Sequence, residues 1–249
     1  MLPEGFVKRP VAHRALHDIT DGRPENSRAA IRAAIDAGYA IEIDLQLSSD
    51  GRAMVFHDYD LGRLTASKGP VRLKSSSALA EIALLHGSEG IPSFAQVLEL
   101  VAGRVPLLVE IKDQDGAMGP QVGALEAAAA QDLAGYDGDV ALMSFNPNSM
   151  AEMARLMPHL PRGLTTCGFS AEGWPTLPRE VRERLREIPD YDRVGACFIS
   201  HNWQFLHAPR IAELAARGAS VLSWTTRSPE EDALARRIAC NVTFEGYAA

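Results

Sequence analysis

A chain of 249 residues, 46% of them hydrophobic and 23% charged, has enough apolar mass for one sizeable core and too little for a membrane protein. Its formal net charge of −7 argues against non-specific binding to nucleic acid, whose phosphates are held mainly by Lys and Arg. A small anionic ligand would instead need a local cationic pocket.

The first ten residues carry Glu4, Lys8 and Arg9 and no apolar h-region, which argues against a secretory signal and for a cytoplasmic location. No apolar run exceeds strand length, so no integral membrane segment is expected. Cys167, Cys197 and Cys240 are widely spaced without a C-x-x-C pair and read as reduced core residues. The sequon Asn241-Val242-Thr243 lies in an apolar run, where glycosylation is not expected.

Short β-like runs alternate with helical patterns along the chain, the mark of an α/β fold with a parallel sheet. The length suits a single domain over residues 1–249, of the size of one (β/α)8 barrel. The first predicted strand covers residues 7–13. Asn26 then reads as the cap of a helix in which Ile31, Ala34 and Ile35 share a face and Gly38 ends the run. Strands follow at 39–45 and 53–57, and then the rhythm breaks. Residues 62–91, with Lys68-Gly69-Pro70, Ser75-Ser76-Ser77 and Gly87-Ser88-Glu89-Gly90, read as a short excursion over the C-terminal mouth of the barrel.

A helix at 94–101 leads to a strand at 105–112, a helix at 121–133 to a strand at 140–145, and a helix at 149–156 to a strand at 163–167. The long connection 169–193, with a charged helix at 179–187, reads as a solvated spacer. The pattern closes with strands at 196–200, 220–224 and 241–244 and helices at 209–217 and 229–239. Nine candidate strands compete for eight places, so one is a hairpin arm, an irregular segment or an addition.

Chemistry concentrates at strand ends. In Ile41-Glu42-Ile43-Asp44-Leu45 the carboxylates alternate with aliphatic residues, so Glu42 and Asp44 face one way. Two ionised carboxylates this close repel each other and resist desolvation, and a divalent cation relieves both problems. Glu110 and Lys112 share a face after the apolar run 105–109. Glu110 can be a third oxygen ligand and Lys112 can meet a substrate anion, with a simple ion pair between them as the alternative.

His13 and His57 each end an apolar run beside polar residues and can pass protons on one site near neutral pH. Arg14 offers a planar fork to phosphate oxygens. Asp58 either orients a histidine or caps the next segment. Trp224 ends a strand and either walls the substrate pocket or packs in the core. His17, His86, His159 and His207 have no partner at ligand spacing, and His201 carries low weight at the mouth.

Taken together, His13-Arg14, Pro24-Glu25-Asn26-Ser27, Ile41-Glu42-Ile43-Asp44, Ser49-Asp50-Gly51, Val55-Phe56-His57-Asp58 with Leu61 and Arg63, Ile91-Pro92-Ser93-Phe94 and Glu110-Ile111-Lys112 resemble the glycerophosphodiester phosphodiesterase family. The likeness thins to Ser144-Phe145 and Trp224-Thr225 further on. It implies a TIM barrel that hydrolyses small-molecule glycerophosphodiesters to sn-glycerol 3-phosphate and an alcohol with Mg2+ or Ca2+, Mn2+ being a further candidate. By that resemblance Glu42, Asp44 and Glu110 hold the metal, His13 and His57 are general acid and base in an order left open, and Arg14 and Lys112 engage the phosphate; Trp224 is kept beside them as a candidate substrate-binding residue. Two departures stand out. Ala15 replaces the family's glycine after His-Arg, which matters if the backbone there needs positive φ, and Asn241 to Tyr247 lacks the usual Thr-Asp and proline.

Overall fold

The computed structural model describes residues 1–249. Its strands are β1 (Val11–Ala12), β2 (Ala40–Leu47), β3 (Ala53–Val55), β4 (Leu107–Ile111), β5 (Val140–Ser144), β6 (Arg162–Thr166), β7 (Phe198–Asn202), β8 (Ser220–Thr226) and β9 (Asn241–Phe244). The helices are α1 (Gly5–Lys8), α2 (Arg28–Ala37), α3 (Ser76–Ala80), α4 (Phe94–Val101), α5 (Ala124–Leu133), α6 (Pro147–Leu156), α7 (Arg179–Arg186), α8 (Pro209–Ala216) and α9 (Pro229–Ala235). Eight strands run parallel in the order β1-β9-β8-β7-β6-β5-β4-β2, and β1 pairs with β2 to close a TIM barrel.

The surplus strand is β3, the antiparallel arm of a hairpin with β2. The turn chemistry explains it. Gly51 takes φ +75°, Arg52 N donates to Ser48 Oγ at 2.9 Å and Ser48 N donates back to Arg52 O at 3.0 Å. His57 therefore follows a hairpin arm, whereas His13 follows a barrel strand.

Beyond β3 the excursion carries a small core of its own. Leu61, Val71, Leu79, Leu84 and Ile91 pack with Met54 and Phe56 into a seven-residue cluster separate from the main one. Glu89 anchors this annex to the barrel through Arg28 at 3.6 Å and Arg32 at 3.0 Å on α2.

The predicted strand at 7–13 shrinks to β1, because residues 5–8 form α1 instead. Phe6, fully buried, packs with Leu108, Ala141, Phe198 and Leu222, side chains from four different strands. That contact plugs the barrel and sets the direction of the N-terminal segment. Asn241 locks it: its Nδ2 donates to Phe6 O at 2.7 Å and to Arg9 O at 2.6 Å. The sequon asparagine is thus a buried strut, not an acceptor for a glycan. Asn241→Ala leaves one buried and one part-buried carbonyl unpaired and is expected to cost about 1–3 kcal/mol in urea unfolding, with the m-value unchanged.

The connection 169–193 is not a solvated spacer. Phe169, Leu177 and Leu185 are buried with Cys167, and Trp174, Phe145 and Trp224 pack onto them. The charged residues of α7 mislead because they occupy its outer face, while Leu185 is buried and Val181, one turn earlier, packs against the same cluster. All three cysteines are free, but only Cys167 is buried, and Cys240 is exposed. No helix is long and apolar enough to cross a membrane.

Candidate active site

The polar centre lies at the C-terminal ends of the barrel strands. Parallel pairing sets Asp44 on β2 beside Glu110 on β4. With Glu42 one pleat earlier, the three carboxylates bring ligand oxygens within 4.8 Å of one another, all buried. Burial pushes the Glu42 carboxyl well above its ordinary value, and the charges of Asp44 and Glu110 push it further. For Asp44 burial works the same way, but Lys112, His57 and Arg14 outweigh it and hold the carboxyl far below its usual range.

Lys112 Nζ lies 2.7 Å from both Asp44 Oδ1 and Glu110 Oε1. The Glu110–Lys112 ion pair therefore exists, as one branch of the cluster and not as an isolated strut. Burial disfavours the ammonium, yet the two carboxylates raise its pKa above the ordinary lysine value. An all-oxygen donor set with a carboxyl destabilised by its neighbours suits a hard divalent cation.

Backbone strain helps to build this cluster. Arg14 and Ala15 adopt φ of +50° and +65°, so the glycine position of the resembling family does need positive φ here, and Ala15 bears it. The turn lets Arg14 N donate to Glu42 Oε2 at 2.8 Å and Ala15 N to Glu42 O at 3.0 Å. Asn26 also has positive φ, +59°, and does not cap α2; Ser27 does, accepting from Ala30 N at 3.1 Å. That leaves the Asn26 amide free to donate to Asp44 Oδ2 at 3.0 Å.

Each histidine is held by a carboxylate. His57 Nδ1 contacts Asp58 Oδ1 at 2.6 Å, and Asp58 is gripped by Arg63 Nε at 2.6 Å. Asp58 therefore orients the histidine. Arg63 also binds Glu25 at 2.8 Å, and Glu25 binds Arg14 at 2.8 Å, so one chain of charges joins His57 to the arginine. His13 Nδ1 contacts Glu245 Oε2 at 2.5 Å, and Arg227 Nε holds the other Glu245 oxygen at 2.7 Å. A carboxylate only accepts, so in both pairs Nδ1 carries the proton and Nε2 is left for exchange.

Burial lowers the His13 pKa to about 4, although the Glu245 hydrogen bond opposes the shift. The neutral imidazole is the resting form at neutral pH. Glu245 is itself held far below the carboxylate range: burial raises it, but His13, His17 and Arg227 prevail.

Glu245 is the residue that sequence reasoning missed, and His17, set aside as partnerless, lies 3.5 Å from it. The signal was its position: the parallel register pairs Ala12 with Phe244, so the residues after each, His13 and Glu245, emerge side by side where the barrel closes. Glu245→Gln keeps shape and removes charge. It is expected to lower kcat about 10–100-fold, by analogy with other second-layer partners. It should also move the acidic limb of the pH–rate profile to lower pH, since the imidazolium loses a stabilising anion; a loss of kcat with an unmoved limb would mean mere packing.

His13, Arg14, Glu42, Asp44, His57, Glu110, Lys112 and Trp224 all line one pocket of about 120 Å³. Trp224 contributes its ring face only, because its Nε1 donates to Ser200 O at 2.9 Å. His201 does not line this pocket; its Nδ1 meets Thr166 Oγ1 at 2.8 Å within the barrel wall.

Fold and site together define a (β/α)8 barrel whose strand ends converge on a carboxylate cluster flanked by two histidine–carboxylate pairs. The model of the glycerophosphoryl diester phosphodiesterase family matches residues 13–243, and the chain belongs to that family. Among curated relatives, the protein YqiK of Bacillus subtilis is 33% identical over 153 residues, 57% of this chain and 61% of the relative. A glycerophosphodiester phosphodiesterase of Caldanaerobacter subterraneus is 31% identical over 160 residues, 61% of this chain and 65% of the relative. These alignments thus span less than two thirds of the relatives' own length. A phosphodiesterase of Oleispira antarctica, solved in complex with the product sn-glycerol-3-phosphate, superposes with a TM-score of 0.77 at 22% identity, over 97% of this chain and 94% of that one.

Proposed function

We propose that this protein hydrolyses glycerophosphodiesters to sn-glycerol 3-phosphate and an alcohol. The observation that carries this reading is the convergence of two histidines, three carboxylates, an arginine and a lysine on one small pocket. Membership of the family supports it. The sn-glycerol-3-phosphate bound to the Oleispira antarctica enzyme is the product expected of the same reaction.

Arg14 and Lys112 are the groups suited to hold the phosphate oxygens. Arg14 Nε is buried without a hydrogen-bond partner, although it lies 3.6 Å from Asp44 Oδ2, so the guanidinium is shared between that carboxylate and any bound anion. Glu42, Asp44 and Glu110 would hold a divalent cation, Mg2+ or Ca2+ with Mn2+ also meeting the donor set, which supplies Lewis-acid withdrawal of charge from the phosphoryl group when bound. His13, neutral at rest, takes the proton of the attacking water or of the neighbouring glycerol hydroxyl. His57 gives its proton to the departing alkoxide as the P–O bond breaks. The assignment of roles follows from position: His57, and not His13, also lines the larger recess that adjoins the pocket, where a departing alcohol has room.

Phosphorus NMR of the products, over a panel of glycerophosphodiesters and lysophospholipids with Mg2+, Ca2+ or Mn2+, tests the reading. Glycerol 3-phosphate is expected. A cyclic phosphate as sole product would make the protein a lyase, and binding without release would make it a phosphodiester-binding barrel.

A further inference from the structure

Beside the catalytic pocket lies a second recess of about 570 Å³, reached from the His57 side. Its walls include the aromatic rings of Tyr59, Phe145, Trp174 and Trp224. Phe145 sits between the two tryptophans, with ring centroids 4.9 Å from Trp174 and 5.6 Å from Trp224, the latter perpendicular. Both indole N–H groups are used inside the protein, Trp174 on Cys167 Sγ at 3.3 Å and Trp224 on Ser200 O at 2.9 Å. The rings therefore offer carbon faces and no donors.

The recess is also negatively charged. Asp60 and Asp113 line it, and neither forms an ion pair; Lys112 also lines it but is already paired with Asp44 and Glu110 at 2.7 Å, and Arg72, which shares an adjoining groove, stays out of ion-pairing range. Asp113 has little hydrogen-bonding capacity to spare. Its oxygens accept from Asp115 N at 3.1 Å, Gly116 N at 2.8 Å, Met118 N at 3.1 Å and Asn146 Nδ2 at 2.8 Å. Asp60 accepts only from Gly62 N, at 2.8 Å.

Aromatic faces with anionic charge and few free polar atoms form an environment for a cation that donates no hydrogen bonds. A polyol alcohol would find too few partners, and an acyl chain would be laid against unpaired carboxylates, which desolvation penalises. We infer that this recess receives the leaving alcohol and selects a quaternary ammonium alcohol, the choline type, from among glycerophosphodiesters. The inference rests on the proposed hydrolysis and adds which alcohol departs. It also gives the connection 169–193 a task, since Trp174 lies on it.

The test compares kcat/KM for the choline diester with that for its neutral 3,3-dimethylbutyl isostere, which has the same shape without the charge, and with the glycerol diester. The choline diester should lead the isostere about tenfold or more. Asp60→Asn, at an exposed position, should shrink that ratio several-fold, and Trp174→Ala should shrink it too. Tetramethylammonium should quench tryptophan fluorescence in the wild type and much less after Trp174→Ala. Equal kcat/KM for the charged and neutral esters would overturn the inference while leaving the hydrolysis standing. Preference for the glycerol diester or for a long-chain lysophospholipid would overturn it as well. Failure to cleave any of these esters would remove the hydrolysis itself.

Discussion

His13→Ala and His57→Ala are each expected to lower kcat by about 10²–10⁴-fold, the usual worth of a positioned proton donor or acceptor. Calorimetric titration should find metal affinity preserved in both, because neither histidine belongs to the carboxylate cluster. The two losses should not multiply in the double variant, since once one proton transfer fails the other is no longer the limiting step. They should differ in their response to the leaving group. If His57 protonates the departing alkoxide, His57→Ala should recover much of its rate on an ester with an acidic alcohol such as p-nitrophenol, and His13→Ala should not. Full activity in either variant would sink the two-histidine mechanism, and rescue of His13→Ala instead would reverse the roles.

The double replacement Glu42→Ala with Asp44→Ala should abolish both metal binding and turnover. In the wild type, metal at 100 times its Kd should raise stability by about 2.7 kcal/mol, and in the double variant this thermal shift should vanish. A milder variant separates function from stability. The Glu42 carboxyl is raised in the folded state by burial and by two like charges, so its ionisation opposes folding. That penalty is absent below the unfolded carboxyl's pKa and grows as the pH rises above it. Metal-free Glu42→Gln should therefore melt higher than wild type at pH 7, with a smaller difference near pH 4, while losing metal affinity. A metal-free Tm that falls would show that Glu42 is needed for folding and is not held against its own electrostatic preference.

Much of this site was legible because it obeys local rules. The alternation through Glu42 and Asp44 needs only the two-residue period of a strand, and Glu110 with Lys112 repeats it. The surplus strand was countable too, although its identity depended on the Ser48–Arg52 turn. What stayed hidden was tertiary. Glu245 meets His13 only because β9 closes against β1, a pairing across 232 residues that no local pattern announces. Asn26 looked like a cap because asparagine often is one, yet Ser27 serves equally well, and its neighbour was thereby released to Asp44. Trp174 was obscured by the charged face of α7, a reminder that composition reports on the outside of an amphipathic segment as loudly as on its inside.

The hairpin arm β3 has one more consequence. His57 is carried by an annex with a seven-residue core of its own, while His13 and the carboxylates belong to the closed barrel. A small satellite core opens at lower free energy than a barrel with forty buried residues in its main cluster. The annex should thus behave as a separate cooperative unit, whose brief openings take His57 away while the carboxylate cluster and the barrel remain intact. Ala53 and Val55 pack in the main cluster, so amide exchange over residues 58–91 should be faster than in β3, β4 and β5, and heat should silence the enzyme several degrees before it unfolds it. Working temperature would then be set by seven apolar side chains at the rim and not by the barrel.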